Sequence, residues 1–269
     1  MTPLELAIEL AEAADAITLE AFNEQTYGIA EKADGSVVTD ADVATEAHIR
    51  HLLAEHAPDA GIIGEEEGIA GVDFRRWYID PIDGTSSFVA GRPEWATMVA
   101  YEDFEQLKAS VVSSPALGRR WYASRGGGAW SATLGPVSSE PERMRVSDVD
   151  SVSAARVSTW PPPRRLREQW IPVASAFLEI ANTVAGSVTG RETKPSRDTG
   201  LPNAGLMVVA GRLEAFLLCG GGPWDVAPLA LLVEEAGGRY TDASGGKAYD
   251  SGVALFTNSH IHDALLEWL

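Results

Sequence analysis

Residues 77–85 read Trp-Tyr-Ile-Asp-Pro-Ile-Asp-Gly-Thr, a strand-like segment followed by two acids and a turn. Its apolar start predicts a strand, and the strand delivers two acids, Asp80 and Asp83, into a turn. Pro81 fixes the backbone angle φ and bends the chain, so both acids can point at one centre. The backbone carbonyl of Ile82 can face the same centre. The stretch therefore predicts a cluster of oxygen ligands at the end of a strand.

Oxygen ligands of this kind suit a hard divalent cation. Mg²⁺ takes few carboxylates and keeps positions open for water and for substrate phosphate. The backbone amides of Gly84 and Thr85 can begin a helix, and amides at a helix N-terminus bind phosphate oxygens. Asp80 would otherwise lie unpaired near a buried sheet. We therefore predict that one short segment holds both a metal ion and a phosphate group.

Two further acidic segments are predicted to converge on this turn. Residues 64–68 read Gly-Glu-Glu-Glu-Gly after an apolar pair, which places Glu65 at the end of a strand. Residues 220–225 read Gly-Gly-Gly-Pro-Trp-Asp, which places Asp225 at the mouth of a helix. Taken alone, the Glu65 segment is typical of a solvated turn. The three segments together favour a metal site.

A hydroxyl group and a further acid complete the candidate site. Thr85 can orient an attacking water molecule, and Asp42 on the predicted second helix can take its proton. Both residue types are also favoured as helix caps, so capping is an equally good interpretation of each.

The net charge excludes several classes of partner. The 269 residues carry 21 Lys and Arg against 39 Asp and Glu, which gives a formal charge of −18. Such a charge repels a nucleic-acid backbone and an anionic bilayer, so we expect neither as a partner. No apolar run approaches the roughly 20 residues of a membrane helix, and the single cysteine, Cys219, fits a reducing compartment. We expect a cytoplasmic protein with one large domain or two small ones.

The order of the predicted elements indicates two halves. Helices are predicted near residues 4–22 and 41–56, followed by short strands between residues 61 and 124. Beyond about residue 145, strands alternate with helices predicted over residues 164–178, 202–210, 225–236 and 261–268. We therefore predict an α+β half with a mainly antiparallel sheet over residues 1–145. An α/β half over residues 146–269 would carry Asp225 and pack on it in layers.

The sequence resembles the inositol monophosphatase superfamily of Mg²⁺-dependent phosphomonoesterases. The matching motifs occur in the right order over most of the chain: Gly64-Glu65-Glu66, residues 77–85, Trp224-Asp225 and Glu235-Ala236-Gly237-Gly238. Residues 38–42, which read Val-Thr-Asp-Ala-Asp, also look like the family's segment before its second helix, and Lys32 looks like its preceding loop lysine.

The resemblance implies a role for each acid. Glu65, Asp80 and the Ile82 carbonyl would hold one Mg²⁺ ion. A second ion would be held by Asp80, Asp83 and Asp225. A third, looser ion near Glu65 would help to activate water, so the resemblance implies two or three ions per site.

The resemblance also implies a fold, an assembly and a substrate. The fold would be an αβαβα layered sandwich, and the assembly usually a homodimer. Residues 92–97 and 113–130 look most like the actinobacterial histidinol-phosphate phosphatases, which favours L-histidinol phosphate and a place in histidine biosynthesis. Inositol 1-phosphate, or another sugar or polyol phosphate, is the alternative substrate. The implied substrate contacts are Asp83, Gly84, Thr85, Arg197 and Asp225.

Some residues near the site depart from the family pattern or allow two interpretations. Leu218 stands seven residues before Asp225, where relatives that grip inositol or histidinol usually have Glu. A leucine side chain cannot accept a hydrogen bond from the substrate. Arg119, Arg120 and Arg125 add positive charge, and a substrate role and a place on a surface strand are equally good interpretations.

A function of another class is also open. A non-catalytic regulatory or binding protein could retain the same scaffold, because a fold does not fix a function. The intact acids argue against it. A zinc hydrolase is disfavoured, since the five histidines show no ligand spacing with the acids.

Overall fold

The computed structural model describes the chain in several stretches. These are residues 1–33, 35–71, 74–135, 140–161, 165–183 and 202–269. Two long helices come first, α1 (Pro3–Glu24) and α2 (Asp40–His56). A small antiparallel hairpin joins them, formed by β1 (Ile29–Glu31) and β2 (Val37–Thr39).

Local sequence signals start both long helices. Thr2 caps α1 and exchanges hydrogen bonds with Glu5, while Pro3 occupies the first turn. Thr39 caps α2 and makes the equivalent reciprocal pair with Asp42. Such caps satisfy amide groups that have no partner inside the helix.

The larger sheet follows α2 and has eight strands in the part of the chain that the structure describes. Their bounds are β3 Gly61–Gly64, β4 Gly68–Ala70, β5 Arg75–Asp83, β6 Ala96–Asp103, β7 Gln106–Ser114, β8 Arg119–Ser124, β9 Gly128–Thr133 and β10 Glu142–Arg143. They lie in the order β10-β9-β8-β7-β6-β5-β3-β4. Every neighbouring pair is antiparallel except β3 and β5, which run parallel. The predicted mainly antiparallel sheet is confirmed.

The smaller sheet has four strands and lies in the second half of the chain. Its strands are β11 Val157–Trp160, β12 Ala215–Cys219, β13 Arg239–Asp242 and β14 Val253–Thr257, in the order β11-β12-β14-β13. The other helices in the described stretches are α3 Thr85–Val89, α4 Ile171–Thr183, α5 Ala204–Val209, α6 Pro223–Glu235 and α7 His262–Leu266.

Helix α6 is the central element of the fold. Residues 226–233 of this helix are all buried, as expected for a helix that is apolar on every side. One core cluster joins α5 and α6 to Trp121 of the larger sheet and to Phe216 and Phe256 of the smaller sheet. The two sheets therefore pack on opposite sides of the same helix pair.

Helices α1, α2, α4 and α7 cover the outer faces of the two sheets. Leu10 of α1 and Ile49 of α2 pack against Trp77 of the larger sheet. Phe177 of α4 and Leu265 of α7 pack against the smaller sheet. Each large side chain buried in this way contributes about 1.5–3 kcal/mol. The layers are helix, sheet, helix, sheet and helix, so the αβαβα sandwich is confirmed.

Two details differ from the sequence prediction. The helix predicted over residues 164–178 begins later, because a 3₁₀ turn (Glu168–Trp170) precedes α4. Pro172 fits the first turn of α4, where a missing N–H group costs nothing. The short strands β1, β2, β4, β9 and β10 were not predicted. The division of the chain at residue 145 stays a prediction.

None of the helices in the described stretches is both long enough and apolar enough to cross a bilayer.

His262 is a buried titratable group in α7, away from the predicted site. Its two ring nitrogens lie 3.0 Å from Thr241 Oγ1 and 2.9 Å from Thr257 Oγ1. Burial, helped by the positive charge of Arg239, lowers its pKa to about 4. The imidazole is therefore neutral in the folded protein at neutral pH.

We predict that His262 makes the protein lose stability in mild acid. The unfolded chain binds a proton near pH 6.5, whereas folded His262 does so only near pH 4, so stability falls as pH drops through this window. Between pH 7.5 and pH 5 the loss from this group should be about 2 kcal/mol. Urea unfolding of the wild type and of His262→Gln at both pH values measures it. An equal pH dependence in the two proteins would contradict the prediction.

Candidate active site

Strand β5 presents Asp80 and Asp83 on the same side because the strand is bulged between them. In a regular strand, residues three apart point to opposite faces. Here Asp80 pairs with Met98 and Asp83 pairs with Ala96, so three steps along β5 oppose two along β6. The extra residue turns the second acid to the side of the first. The bend predicted at the intervening proline is therefore a β-bulge.

Helix α6 delivers the third acid of the site. Asp225 lies in the first turn of α6, where its Oδ2 accepts the N–H group of Gly222 at 2.6 Å. Asp80, Asp83 and Asp225 each offer one carboxylate oxygen, and these oxygens lie within 4.8 Å of one another. The structure thus brings together two segments that are about 140 residues apart in the sequence.

The three clustered carboxyl groups have raised pKa values. Burial is the largest cause for each, and neighbouring carboxylates add to it. The pKa of Asp80 lies well above its usual range, that of Asp83 rises to about 6, and that of Asp225 rises to about 8. The cluster is therefore costly to ionise without a cation.

The unpaired oxygen of Asp80 and the donor atoms of the cluster also fit a cation site. Asp80 Oδ1 is buried and has no hydrogen-bond partner among the described residues. Buried polar oxygens are normally satisfied, so this atom needs a ligand. All three groups offer carboxylate oxygen, which suits Mg²⁺ rather than a softer metal ion. The residues present therefore fit a hard divalent cation.

Glu65 lies beside this cluster rather than inside it. Its carboxylate accepts a hydrogen bond from Lys32 Nζ at 2.8 Å, and the same ammonium group binds Glu66 at 2.8 Å. The charge of Glu65 contributes to the raised pKa of Asp80. The charge of Glu65 therefore acts on the cluster. Its role as a metal ligand stays a prediction.

Thr85 and Asp42 face each other next to the cluster. Thr85 Oγ1 lies 3.5 Å from Asp42 Oδ1 and donates a hydrogen bond to the Ile82 carbonyl at 3.1 Å. The other carboxylate oxygen of Asp42 accepts the N–H and hydroxyl groups of Thr39 at 2.8 and 2.6 Å. Burial is the main cause that raises the pKa of Asp42 to about 6. Capping by Asp42 is confirmed, and its catalytic role stays a prediction.

Gly84 shapes the turn between β5 and α3. Its φ angle is +89°, and a Cβ atom there would lie 2.9 Å from the carbonyl oxygen of Glu94, so a larger residue does not fit. Helix α3 begins at Thr85, and Gly84 occupies the cap position. The capping interpretation of Thr85 is therefore wrong. Phosphate binding by the amides of Gly84 and Thr85 stays a prediction.

Asn203 was missed by the sequence analysis. Its Nδ2 donates a hydrogen bond to Asp83 Oδ2 at 3.0 Å, while its Oδ1 caps α5 by accepting the Leu206 N–H group at 3.0 Å. An Asn before a helix predicts the cap. Nothing local in the sequence predicts its contact with Asp83.

The three arginines around β8 all bind protein groups. Their acceptors are Ser131 for Arg119, Glu12 and Asp15 for Arg120, and Glu234 and the Leu107 carbonyl for Arg125. These contacts favour the structural interpretation of the three side chains. Arg197, the remaining candidate, lies outside the described residues.

Leu218 forms an apolar wall close to Asp225. It is 8% exposed and packs within the central core. A Cβ atom on Gly221 would meet both Leu218 Cδ2, at 2.8 Å, and Asp225 Oδ2, at 3.3 Å. A side chain that cannot accept hydrogen bonds therefore lies beside the acidic cluster.

Comparison with known proteins identifies the class. The sequence profile of the inositol monophosphatase family matches residues 2–269. A match of this length, on a fold with this acidic cluster, defines the chain as a phosphoric monoester hydrolase. The chain belongs to the inositol monophosphatase family.

Two curated relatives and a solved structure support this assignment. The chain is 36% identical to the histidinol-phosphatase of Streptomyces coelicolor, over 99% of this chain and 96% of that protein. It is 34% identical to the inositol-1-monophosphatase of Rhizobium meliloti, over 90% of this chain and 86% of that protein. The crystal structure of the extragenic suppressor protein SuhB from Bartonella henselae superposes with a TM-score of 0.79 at 26% identity, covering 98% of this chain and 96% of that one.

We predict that Asp225→Asn stabilises the chelator-treated protein. The substitution removes one of three mutually repelling carboxylates and keeps an oxygen that can accept the Gly222 N–H group. Its free energy of unfolding at pH 8 should rise by several kcal/mol. The sign follows from the pKa of about 8, because ionisation of folded Asp225 costs stability as pH rises. Thermal melting in EDTA measures the change.

The same melts with and without Mg²⁺ provide the control. Wild type should gain thermal stability on addition of Mg²⁺, and Asp225→Asn should gain little. Asp59→Asn, which neutralises an exposed carboxylate, should behave as wild type in both conditions. A wild type that melts at the same temperature in Mg²⁺ and in EDTA would contradict the assignment of a metal site.

Proposed function

We propose that this enzyme hydrolyses L-histidinol phosphate in the presence of Mg²⁺, releasing L-histidinol and inorganic phosphate. The cluster of Asp80, Asp83 and Asp225 is the observation that carries the chemistry. The 36% identity to a histidinol-phosphatase along nearly the whole chain supports the substrate. The 34% identity to an inositol-1-monophosphatase supports inositol 1-phosphate as the second candidate.

The acids around the bulge would hold the cation. Asp80, Asp83 and Asp225 would share one Mg²⁺ ion, and Glu65, Asp80 and the Ile82 carbonyl would share another. A third ion near Glu65 completes the proposed set of two or three. When bound, Mg²⁺ neutralises these carboxylates, draws charge from the phosphate group and lowers the pKa of water.

The residues beside the cluster would direct the attack on phosphorus. Thr85 orients the attacking water through its hydroxyl oxygen, and Asp42 accepts the proton that the water loses. The pKa of Asp42, about 6, leaves its carboxylate ionised at neutral pH and basic enough for this task. The water oxygen bonds to phosphorus as the bond to the ester oxygen breaks, and the leaving alkoxide takes up a proton from solvent water to become the alcohol.

Other groups of the site would hold the substrate in place. The N–H groups of Gly84 and Thr85 would bind the phosphate oxygens, and the side chain of Arg197 would contact the substrate, as the family resemblance implies. The proposal also includes a homodimer, as the family resemblance implies, and a cytoplasmic location, which the single cysteine favours. A regulatory role without catalysis is disfavoured, because the clustered acids and the neighbouring pair of Asp42 and Thr85 are all in place.

A panel of phosphate esters tests the proposed activity. The esters are L-histidinol phosphate, inositol 1-phosphate, glycerol 2-phosphate, fructose 1,6-bisphosphate and 3′-phosphoadenosine 5′-phosphate. We expect Mg²⁺-dependent phosphate release, measured with malachite green, with kcat/KM highest for L-histidinol phosphate by about tenfold or more. Asp83→Asn should release no phosphate. If none of these esters is hydrolysed, the proposed function is refuted. A preference for inositol 1-phosphate would refute L-histidinol phosphate as the substrate and support the second candidate.

We predict that the hydroxyl group of Thr85, rather than its shape, supports turnover. Thr85→Val keeps the size of the side chain and removes the hydroxyl, so kcat should fall by about 10²-fold or more at saturating Mg²⁺ and substrate. Thr85→Ser restores the hydroxyl group and should recover most of the rate. Equal rates in the Val and Ser variants would show that the hydroxyl group does not act in the reaction.

A further inference from the structure

The turn after β3 decides where Glu65 lies. Residues 64–68 form this turn, and the N–H group of Glu65 donates to the Ile79 carbonyl at 3.1 Å, which joins the turn to β5. The charge of Glu65 contributes to the raised pKa values of Asp80, Asp83 and Asp225. A shift of this turn would therefore change the electrostatic field of the whole site.

One buried carboxylate, that of Glu46 in α2, holds this turn. Glu46 is 0% exposed. Its Oε2 accepts the N–H group of Glu66 at 2.7 Å, and its Oε1 accepts the N–H group of Glu67 at 3.0 Å. Both oxygens of one side chain thus bind the two amides that directly follow Glu65. Hydrogen bonds from backbone amides to a carboxylate are stronger than those between neutral groups.

Arg50, on the same face of α2, binds both Glu46 and the end of the turn. Its Nε donates to Glu46 Oε1 at 2.9 Å, and its Nη2 donates to the Gly68 carbonyl. The pair stands four residues apart on the helix, and it gives the buried negative charge of Glu46 a counterion. Helix α2 therefore binds the turn at its middle through Glu46 and at its end through Arg50.

Gly64 shows that the turn is shaped around this carboxylate. A Cβ atom at Gly64 would lie 2.1 Å from Glu46 Oε1 and 2.5 Å from its carboxyl carbon. Any larger residue would displace the Glu46 carboxylate from the turn. A glycine at this position allows backbone and carboxylate to approach closely.

Helix α2 also carries Asp42, one turn before Glu46. The two residues are four apart, so they lie on one face of the helix. Asp42 faces Thr85, and Glu46 holds the segment that follows Glu65. Helix α2 therefore sets the position of Asp42 directly and that of Glu65 through Glu46, and both residues lie next to the acidic cluster.

We propose that Glu46 is a positioning residue that holds Glu65 in place for metal binding and fixes it relative to Asp42. The proposal rests on the proposed function, because it takes Glu65 as a ligand of Mg²⁺. Glu46 itself touches neither the ion nor the substrate. Replacing a residue that orients a metal ligand typically changes metal affinity by 10- to 100-fold.

Titration calorimetry with Mg²⁺ tests the proposal on the full-length protein. Glu46→Gln keeps the size of the side chain, but its amide nitrogen cannot accept an N–H group, so one backbone bond is lost. We expect Mg²⁺ affinity to fall by about tenfold. Glu55→Gln removes the same charge from an exposed position on the same helix, where the carboxylate lies 3.6 Å from His51 Nε2 and away from the turn, and should bind Mg²⁺ as the wild type does.

Phosphate-release kinetics separate positioning from a merely structural role. In Glu46→Gln the Mg²⁺ concentration for half-maximal rate should rise by about tenfold, while kcat at saturating Mg²⁺ should stay near that of the wild type. A structural role alone would lower the melting temperature and leave the half-saturating concentration unchanged. Should Glu46→Gln fail to fold, Glu46→Asp makes the same test, since it keeps the charge but cannot reach both amides.

The possible results distinguish this proposal from the proposed function. If the wild type binds Mg²⁺ and hydrolyses an ester, and folded Glu46→Gln binds Mg²⁺ with unchanged affinity, only the role of Glu46 is refuted. If the wild type itself binds no Mg²⁺, the proposed function fails and the role of Glu46 fails with it.

Discussion

Mutual repulsion among buried carboxylates is the constraint on which the site depends. Asp80, Asp83 and Asp225 place oxygens within 4.8 Å of one another, at a point partly or fully withdrawn from water. Several kcal/mol oppose such an arrangement when the groups are ionised. The packing of α6 between two sheets holds the acids there nevertheless. The stability of the central core and the affinity for a cation should therefore be linked, because a bound cation would relieve the repulsion among these carboxylates.

Much of the site could be predicted because its signals are local. The segment from Asp80 to Asp83 shows a strand, a proline and two acids within a few residues, so a shared centre follows from backbone geometry. The apolar character of residues 226–233 likewise indicates a buried helix behind Asp225. The sequence does not predict the bulge itself, because the bulge arises only from the pairing of β5 with β6.

Other contacts could not be predicted because they join residues that are far apart in the chain. Asn203 reaches Asp83 across 120 positions, and its local pattern indicates only a helix cap. Arg120 looked equally suited to a substrate, yet it binds acids on α1 that lie more than 100 residues away. Periodicity shows which face of an element is buried, but it does not name the partner. Long-range partners of polar groups therefore had to come from the structure.

The parallel pairing of β3 with β5 has a consequence for how the sequence can vary. Gly64 pairs with Ile79, so the next residues, Glu65 and Asp80, emerge side by side at the same edge of the sheet. Their spacing is set by strand register and is independent of the length of the chain between the strands. Insertions in that connection should be tolerated where they follow β4, beyond the turn that Glu46 and Arg50 hold, whereas a slip of one residue in β3 would turn Glu65 to the opposite face.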